Sequence, residues 1–333
     1  MTLHCGGEPL TAAFTDQYEL TMAQAYYREG MTDRAVFELF FREIQPTRNF
    51  LLVTGLADAL EFLDGLTFSD SDLEYLRGQS VFDDAFIDRL ADFRLTGDVY
   101  AMPEGTVAFA DEPVLQVAAS MPEAQIVETA MLNRINAQTV IASKAARVVI
   151  AARDRAVVDF GMRRAFGADG AMALARSSYI AGAKSTSNVL AGKRLGIPIG
   201  GTMAHSYIQA HDDEMEAFRQ FAALYPETVL LVDTYDTLAG VDKVIELARE
   251  LGDDFRIRAV RLDSGDLVEL AREARRKLDA AGLQDVGVFV SGGLDEFKIA
   301  RMLEDGAPVN GFGVGTRMAV SEDDPTLDAA YKL

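Results

Sequence analysis

Apolar and polar positions divide this chain into two textures. Thr15 is placed to cap a helix from about Asp16 to Glu29, closed by Gly30. Arg34-Ala-Val-Phe-Glu-Leu-Phe-Phe41 is dense in strand formers. The pattern predicts helices over 52–63 and 83–93, then short strands over 98–102, 106–109 and 114–119. That mixture reads as an α+β domain. From Glu123 the apolar residues recur at helical spacing, through Ile126, Ala130, Ile135, Val140 and Ile141 up to Ala152. Short apolar runs then alternate with helical segments. Strands are predicted over 156–160, 197–199, 228–232, 258–262, 286–290 and 309–312, and helices over 212–223, 237–250, 266–281 and 295–304. Repeated strand–helix units imply a parallel sheet with covered faces, and so many in one run favour a closed or irregular barrel. The expected fold class is α/β, an irregular β/α barrel with an N-terminal α/β (α+β) domain. The domain expectation is 1–120, with 321–333 returning to it, and a catalytic barrel over 121–320.

A chain of 333 residues, 49% hydrophobic, is long enough for that arrangement. Lys+Arg 32 against Asp+Glu 52 gives a net charge of −20, which disfavours nonspecific binding to nucleic acid or anionic membranes. It leaves room for a local basic pocket around an anionic substrate. Cys5 is the only cysteine, so the chain has no intrachain disulfide and no cysteine cluster for zinc. Met1–Glu8 lacks a basic-then-apolar leader pattern, and no apolar run approaches the ~20 residues of a membrane span. The expectation is a soluble, cytoplasmic protein.

Candidate chemistry gathers just after the predicted strands, where barrel enzymes place their sites. Gly200-Gly-Thr-Met-Ala-His205-Ser206 sets one of three histidines beside a Gly-Gly turn. Glycine amides can cradle phosphate, and an imidazole can act as nucleophile or acid/base near pH 7. Phe160-Gly-Met-Arg163-Arg164 offers a guanidinium fork for a carboxylate or phosphate beside a ring that can stack. Taken by themselves, those arginines are better explained by an ordinary ion pair on an acidic protein. Asp233-Thr-Tyr-Asp236 follows another strand. In Arg261-Leu-Asp263-Ser-Gly-Asp266 the carboxylates suit ribose hydroxyls or Mg²⁺, or else a helix cap at Asp263 or Ser264. Ser291-Gly292-Gly293 and Gly313-Val-Gly315-Thr316 occupy the last two strand ends, the usual phosphate position in barrels.

Taken together, Thr15-Asp-Gln-Tyr-Glu-Leu-Thr-Met22, Phe160-Gly-Met-Arg-Arg-Ala165, Ser187-Asn-Val-Leu-Ala191, Gly201-Thr-Met-Ala-His-Ser206, Val260-Arg-Leu-Asp-Ser-Gly-Asp-Leu267 and Phe312-Gly-Val-Gly-Thr316 resemble nicotinate phosphoribosyltransferase, in that family's order and across nearly the whole chain. The resemblance implies a type II phosphoribosyltransferase fold and a homodimer with active sites shared across its interface. It implies that nicotinate and 5-phosphoribosyl 1-pyrophosphate give nicotinate mononucleotide and pyrophosphate, with Mg²⁺, in NAD biosynthesis. ATP hydrolysis would be coupled through a phosphohistidine, matched here by His205. Tyr18 matches the ring that enters the neighbouring subunit's site, and Phe160 the opposing ring. Arg163 matches the carboxylate-binding arginine, with Arg261 also lining the nicotinate pocket. Asp263 matches the ribose-binding acid, and Gly293, Gly315 and Thr316 the 5′-phosphate cradle. Asp233 is expected beside His205 or the pyrophosphate. Ser187 stands where nicotinamide-using relatives carry an Asp that would repel a nicotinate carboxylate, so nicotinate is expected over nicotinamide. The family normally continues past Leu333. The alternatives are nicotinamide or quinolinate as acceptor on the same fold, or a catalytically silent homologue.

Overall fold

The computed structural model describes residues 4–5 and 8–333, with side chains from Leu10 onward. The Cys5 side chain and most of the Met1–Glu8 leader pattern therefore lie outside what is described. The chain forms two compact units, one of residues 1–143 and 324–333, the other of residues 144–323.

The first unit is built on a four-stranded antiparallel sheet. β1 (Arg34–Phe41) lies between β3 (Leu115–Ser120) and the closing strand Ala329–Lys332, and β2 (Asp98–Ala101) pairs with the other edge of β3. β1 alternates buried Ala35, Phe37, Leu39 and Phe41 with more exposed neighbours, the period of a sheet covered on one face. Helix Gln17–Glu29 ends at Gly30, whose φ of 72° is the left-handed cap expected of glycine. Thr15 does not cap it. Asp16 holds the cap position without a side-chain capping bond, its carboxylate accepting from the Thr129 hydroxyl instead, and the Thr15 hydroxyl donates to Glu19 and to the Ile126 carbonyl. A helix at Asp70–Arg77, absent from the sequence reading, opens with a capping box between Ser69 and Asp72.

The unit boundary falls at Ser143 rather than at residue 120. Helical periodicity does begin near Glu123, but it covers two helices, Met121–Ile126 and Glu128–Ala152, separated at Val127. The first of them packs on β1, β3 and helix Gln17–Glu29. The Tyr331 hydroxyl donates to the Ala124 carbonyl at 2.8 Å, and Asn136 to the Leu327 carbonyl at 2.8 Å, so this stretch belongs with the antiparallel sheet. A texture change in sequence marks a change of element here, not a change of domain.

Glu19 is a buried carboxyl in this unit. It accepts from the Thr129 amide at 2.8 Å and from the Thr129 and Thr15 hydroxyls. Burial pushes it up to about 7 from an ordinary 4.5, opposed by those hydrogen bonds and assisted by neighbouring Glu128. The folded state therefore holds this proton more tightly than the unfolded chain does. Its stabilising contribution is complete below about pH 4.5 and is lost as pH rises through about 7. Glu19→Gln should unfold at higher urea than the parent at pH 8, by on the order of 2–3 kcal/mol, and lose that advantage at pH 5. An equal urea midpoint at both pH values would show that the fold does not raise the Glu19 pKa.

The second unit carries a six-stranded parallel sheet. Its strands are β4 (Ala156–Asp159), β5 (Ser185–Thr186), β6 (Val229–Leu231), β7 (Ala259–Leu262), β8 (Gly287–Val290) and β9 (Gly311–Val314), in the order β6-β7-β8-β9-β4-β5. Helices such as Thr237–Leu251, Leu267–Ala280 and Glu296–Glu304 bury Val244, Ala274 and Ile299 between them and the strands. The sheet is a parallel half-barrel. Beyond β5 it continues through a single bridge, Thr186 to Ile199, where a strand over 197–199 was expected. Pro198 has no amide to donate, and its carbonyl accepts from Thr186 at 3.0 Å. β9 also runs two residues later than expected. Asn310 spends its side-chain oxygen on the Val288 amide at 2.8 Å before the ladder to β4 begins.

Buried ion pairs reinforce this unit. Lys144 is 2% exposed and pairs with Glu296 at 2.6 Å and Asp323 at 2.8 Å.

Candidate active site

The C-terminal ends of the parallel strands surround a cavity of about 710 Å³. All its lining residues belong to the barrel unit: Phe160, Met162, Arg163, Arg164, Ser187, Gly201 to His205, Arg261, Asp263, Ser291 to Gly293, Gly313, Gly315 and Thr316. Parallel strands deliver their following loops to one end, so residues far apart in sequence converge there. Twelve of the fourteen residues singled out from the sequence line it. Tyr18 and Asp233 do not.

One side of the cavity is basic. Arg163 lies on the short 3-10 turn Met162–Arg164 after β4, exposed, and among the described residues no carboxylate pairs with it. That removes the ordinary ion-pair explanation. Arg261 lies on β7, where its Nη1 donates to the Thr202 hydroxyl at 2.7 Å and the Met203 carbonyl at 3.3 Å, leaving Nε buried without a partner. Burial lowers the Arg261 pKa, Asp263 and Asp233 oppose the shift, and nearby Arg163 adds to it. Its guanidinium carbon stands 5.8 Å from the Phe160 ring centroid. Two neighbouring guanidiniums without a salt bridge between them and any acid form a ready site for a planar anion.

The other side is glycine-rich. Gly292 has φ 95°, and a Cβ there would come within 1.9 Å of the Asp263 carbonyl oxygen, so only glycine lets the two loops approach. Gly313 plays a different part from the expected cradle. It lies inside β9, fully buried, and a Cβ would meet the Phe160 ring at 2.4 Å. Its role is to seat that ring; Gly315 and Thr316 form the loop proper. Ser291 is buried and its hydroxyl donates to Asp263, so it orients the carboxylate rather than presenting a free hydroxyl.

Asp233 corrects a further expectation. It is 8% exposed beneath the cavity, where one oxygen accepts from the Asp263 amide at 2.9 Å and the Ser264 hydroxyl at 2.6 Å. It holds the β7 loop. The partner of His205 is instead Thr234, whose Oγ1 lies 3.1 Å from the His205 Nδ1. Nothing in the local sequence distinguished residue 233 from 234, because strand β6 ends at Leu231 and the alternation stops before either. Likewise, the helix Leu267–Ala280 is capped by Asp266, which accepts from Glu269 at 3.1 Å, leaving Asp263 to the cavity. Thr202 lines the cavity without having been singled out as a ligand, and Arg164, read with Arg163 as a guanidinium fork, lines it too.

Asp159 underlies the Phe160 turn. Fully buried, it accepts from the Gly161 amide and the Thr186 hydroxyl, each at 2.7 Å, and burial raises its pKa. These bonds fix the start of the Arg163 turn relative to Ser187.

Tyr18 lines a separate cavity of about 490 Å³ in the N-terminal unit, with Asp16, Thr129 and Asn133 among its neighbours. Its ring is 46% exposed. Its hydroxyl bonds to Glu128, and burial of that end raises the phenol pKa.

Residues 14–136 match the nicotinate phosphoribosyltransferase N-terminal domain, and residues 155–333 the nicotinate phosphoribosyltransferase family model. The chain belongs to the nicotinate phosphoribosyltransferase family. A Mycobacterium tuberculosis nicotinate phosphoribosyltransferase is 59% identical over 322 residues, 97% of this chain and 70% of that relative. The crystal structure of human nicotinic acid phosphoribosyltransferase superposes with a TM-score of 0.83 at 31% identity, over 96% of this chain and 74% of that one. A Pyrococcus furiosus nicotinate-nucleotide pyrophosphorylase structure gives 0.79 at 27% identity, with the same coverage. The family membership accounts for the α/β barrel and the separate antiparallel-sheet unit together. Among the described residues no helix is long and apolar enough to cross a membrane, and no three His, Cys, Asp or Glu side chains gather to hold a metal ion.

Proposed function

We propose that this protein is a nicotinate phosphoribosyltransferase of NAD biosynthesis. The nitrogen of nicotinate attacks C1′ of 5-phosphoribosyl 1-pyrophosphate, a C–N bond forms, and pyrophosphate leaves. The observation that carries this reading is the polarity of one cavity, with the unpaired Arg163 beside Phe160 and Arg261 at one side and the Gly292, Gly293, Gly315 and Thr316 loops at the other. Arg163 takes the nicotinate carboxylate and Phe160 stacks on the pyridine. Asp263, oriented by Ser291, accepts from the ribose hydroxyls and faces the positive charge that develops on the sugar. Asp263 is the lining carboxylate that would hold Mg²⁺, and the ion would neutralise charge on the leaving pyrophosphate. Ser187 lines the cavity with a neutral hydroxyl, which suits a carboxylate better than an amide donor.

A second acceptor, quinolinate, is favoured by one observation: Arg164 joins Arg163 and Arg261 in the lining, giving enough cationic groups for two carboxylates. Its reaction would release CO₂ without ATP. A product assay with nicotinate, nicotinamide and quinolinate, each with and without ATP, decides. Product from nicotinate alone supports the reading, and product only from another acceptor overturns it.

ATP coupling is part of the same proposal. The His205 imidazole attacks the γ-phosphorus, an N–P bond forms and ADP leaves; the phosphoryl group later passes to water. The ring is half-buried at the cavity wall, oriented by Thr234, next to Gly201 and Thr202. His211 is the internal control: its Nδ1 is engaged with the Tyr207 carbonyl at 2.8 Å, and it does not line the cavity. His205→Ala should abolish acid-labile, base-stable label from γ-labelled ATP and leave slow basal transfer, while His211→Ala keeps the label. Label persisting in His205→Ala refutes the coupling and spares the transferase.

The shared homodimer site belongs here too. Tyr18 presents an exposed ring whose hydroxyl is anchored by Glu128, as a residue completing a partner's pyridine site would. Tyr18→Ala chains mixed with Arg163→Ala chains should recover activity, since one mixed site is intact. No recovery despite demonstrated subunit exchange removes the shared site.

A further inference from the structure

The geometry points to Arg317 and Asp295 as positioning residues that clamp the two halves of the phosphate cradle in register. The inference rests on the phosphoribosyl-donor reading of the cavity. Asp295 follows Gly293 by two residues, and Arg317 follows Thr316 directly, so each sits at the root of one cradle loop. Asp295 is 6% exposed and caps helix Glu296–Glu304, accepting from the Lys298 amide at 2.7 Å with one oxygen. Its other oxygen accepts from the Arg317 Nη1. Arg317 also reaches Glu322 through Nε at 3.1 Å. The neighbouring residue repeats the arrangement, since Glu296 pairs with Lys144, which pairs in turn with Asp323. Two adjacent acid–base–acid chains thus join the segment after the first cradle loop to the segment after the second.

A phosphate bound by both loops needs their donors within a few tenths of an ångström of fixed places. Loop amides alone do not hold two loops at that separation. The Arg317 guanidinium does, bonding Asp295 through Nη1 and Glu322 through Nε, because the group is planar and rigid. The pair also matters electrostatically, since a lone Asp295 carboxylate at the cradle's edge would repel phosphate. The two effects separate by substitution. Asn caps a helix as well as Asp, so Asp295→Asn removes the clamp, keeps the cap, and leaves the Arg317 charge in place. Arg317→Gln removes clamp and cation together.

The test is steady-state kinetics and thermal unfolding of full-length Arg317→Gln, Asp295→Asn and the double variant. We expect KM for 5-phosphoribosyl 1-pyrophosphate to rise at least tenfold in both single variants, KM for nicotinate to stay within twofold, and the double variant to be no worse than the poorer single. Tighter donor binding in Asp295→Asn would show charge rather than positioning and overturn the clamp. Unchanged donor KM, or equal rises for both substrates, would also overturn it. If Arg317→Gln does not fold, Asp295→Asn carries the same test. A parent protein that makes no nucleotide from the donor defeats the donor reading separately. Inorganic phosphate affinity of parent and variants by calorimetry then decides: tenfold weaker binding in Asp295→Asn supports the clamp, and equal or tighter binding overturns it.

Discussion

Replacing Arg163 by alanine should raise KM for nicotinate about 30- to 1,000-fold, equivalent to ~2–4 kcal/mol, while KM for the phosphoribosyl donor changes little. The size of the effect follows from the state of the side chain. Arg163 has no carboxylate partner among the described residues, so its charge is available to a ligand without breaking a protein contact. Burial depresses the Arg261 pKa and nearby Arg163 adds to that shift, so the two like charges repel one another. An anion between them relieves that repulsion as well as forming hydrogen bonds. Arg163→Lys should recover only part of the loss, because an ammonium keeps the charge and loses the bidentate geometry. Steady-state kinetics with each substrate varied in turn checks this. An unchanged nicotinate KM would remove Arg163 from the pocket.

The second large effect concerns stability. Lys144→Met should destabilise the barrel unit by about 3–5 kcal/mol, read as a lower urea midpoint of its unfolding transition. Lys144 is 2% exposed, and its ammonium is the common partner of Glu296 and Asp323. Methionine fills the same volume, so the cost is electrical rather than steric. Glu296 would remain as a carboxylate buried to 7% exposure without its cation. Adding Glu296→Gln and Asp323→Asn to Lys144→Met should recover much of the loss, because a buried ion cluster replaced as a whole often costs little. A single variant as stable as the parent would show that the cluster ionises without consequence.

The sequence by itself determined most of the principal strands and their alternation with helices, though not helix Asp70–Arg77 or the short strand Ser185–Thr186. Period-two burial in Arg34–Phe41 and the apolar runs at Val229–Leu231, Ala259–Leu262 and Gly287–Val290 are local properties, because each strand must bury one or both faces wherever it sits. The convergence of Arg163, Ser187, His205, Arg261, Asp263 and Thr316 was legible as well. Parallel strands carry their following loops to one end, which brings most residues after a strand to one cavity; Ser187 was placed there by the family resemblance, and Asp233 follows a strand without lining it.

What the tertiary structure decided are the matters that depend on a partner distant in sequence. Helical periodicity from Glu123 to Ala152 is the same whether the helices pack on an antiparallel sheet or a barrel, and packing on β1 and β3 together with the Tyr331 and Leu327 bonds assigns their first part to the N-terminal unit. Asp233 and Thr234 are neighbours at a strand end, and which of them meets His205 is settled by the twist of the chain after Leu231. Gly313 and Gly315 look alike in sequence, yet one leaves space for the Phe160 ring and the other turns the loop. Nothing in the sequence links Arg317 to Asp295; the loops after the neighbouring strands β8 and β9 bring them together. A local pattern specifies which face a residue buries, whereas pairing between polar groups needs three-dimensional coordinates, because a side chain's partner is chosen by distance through space and not along the chain.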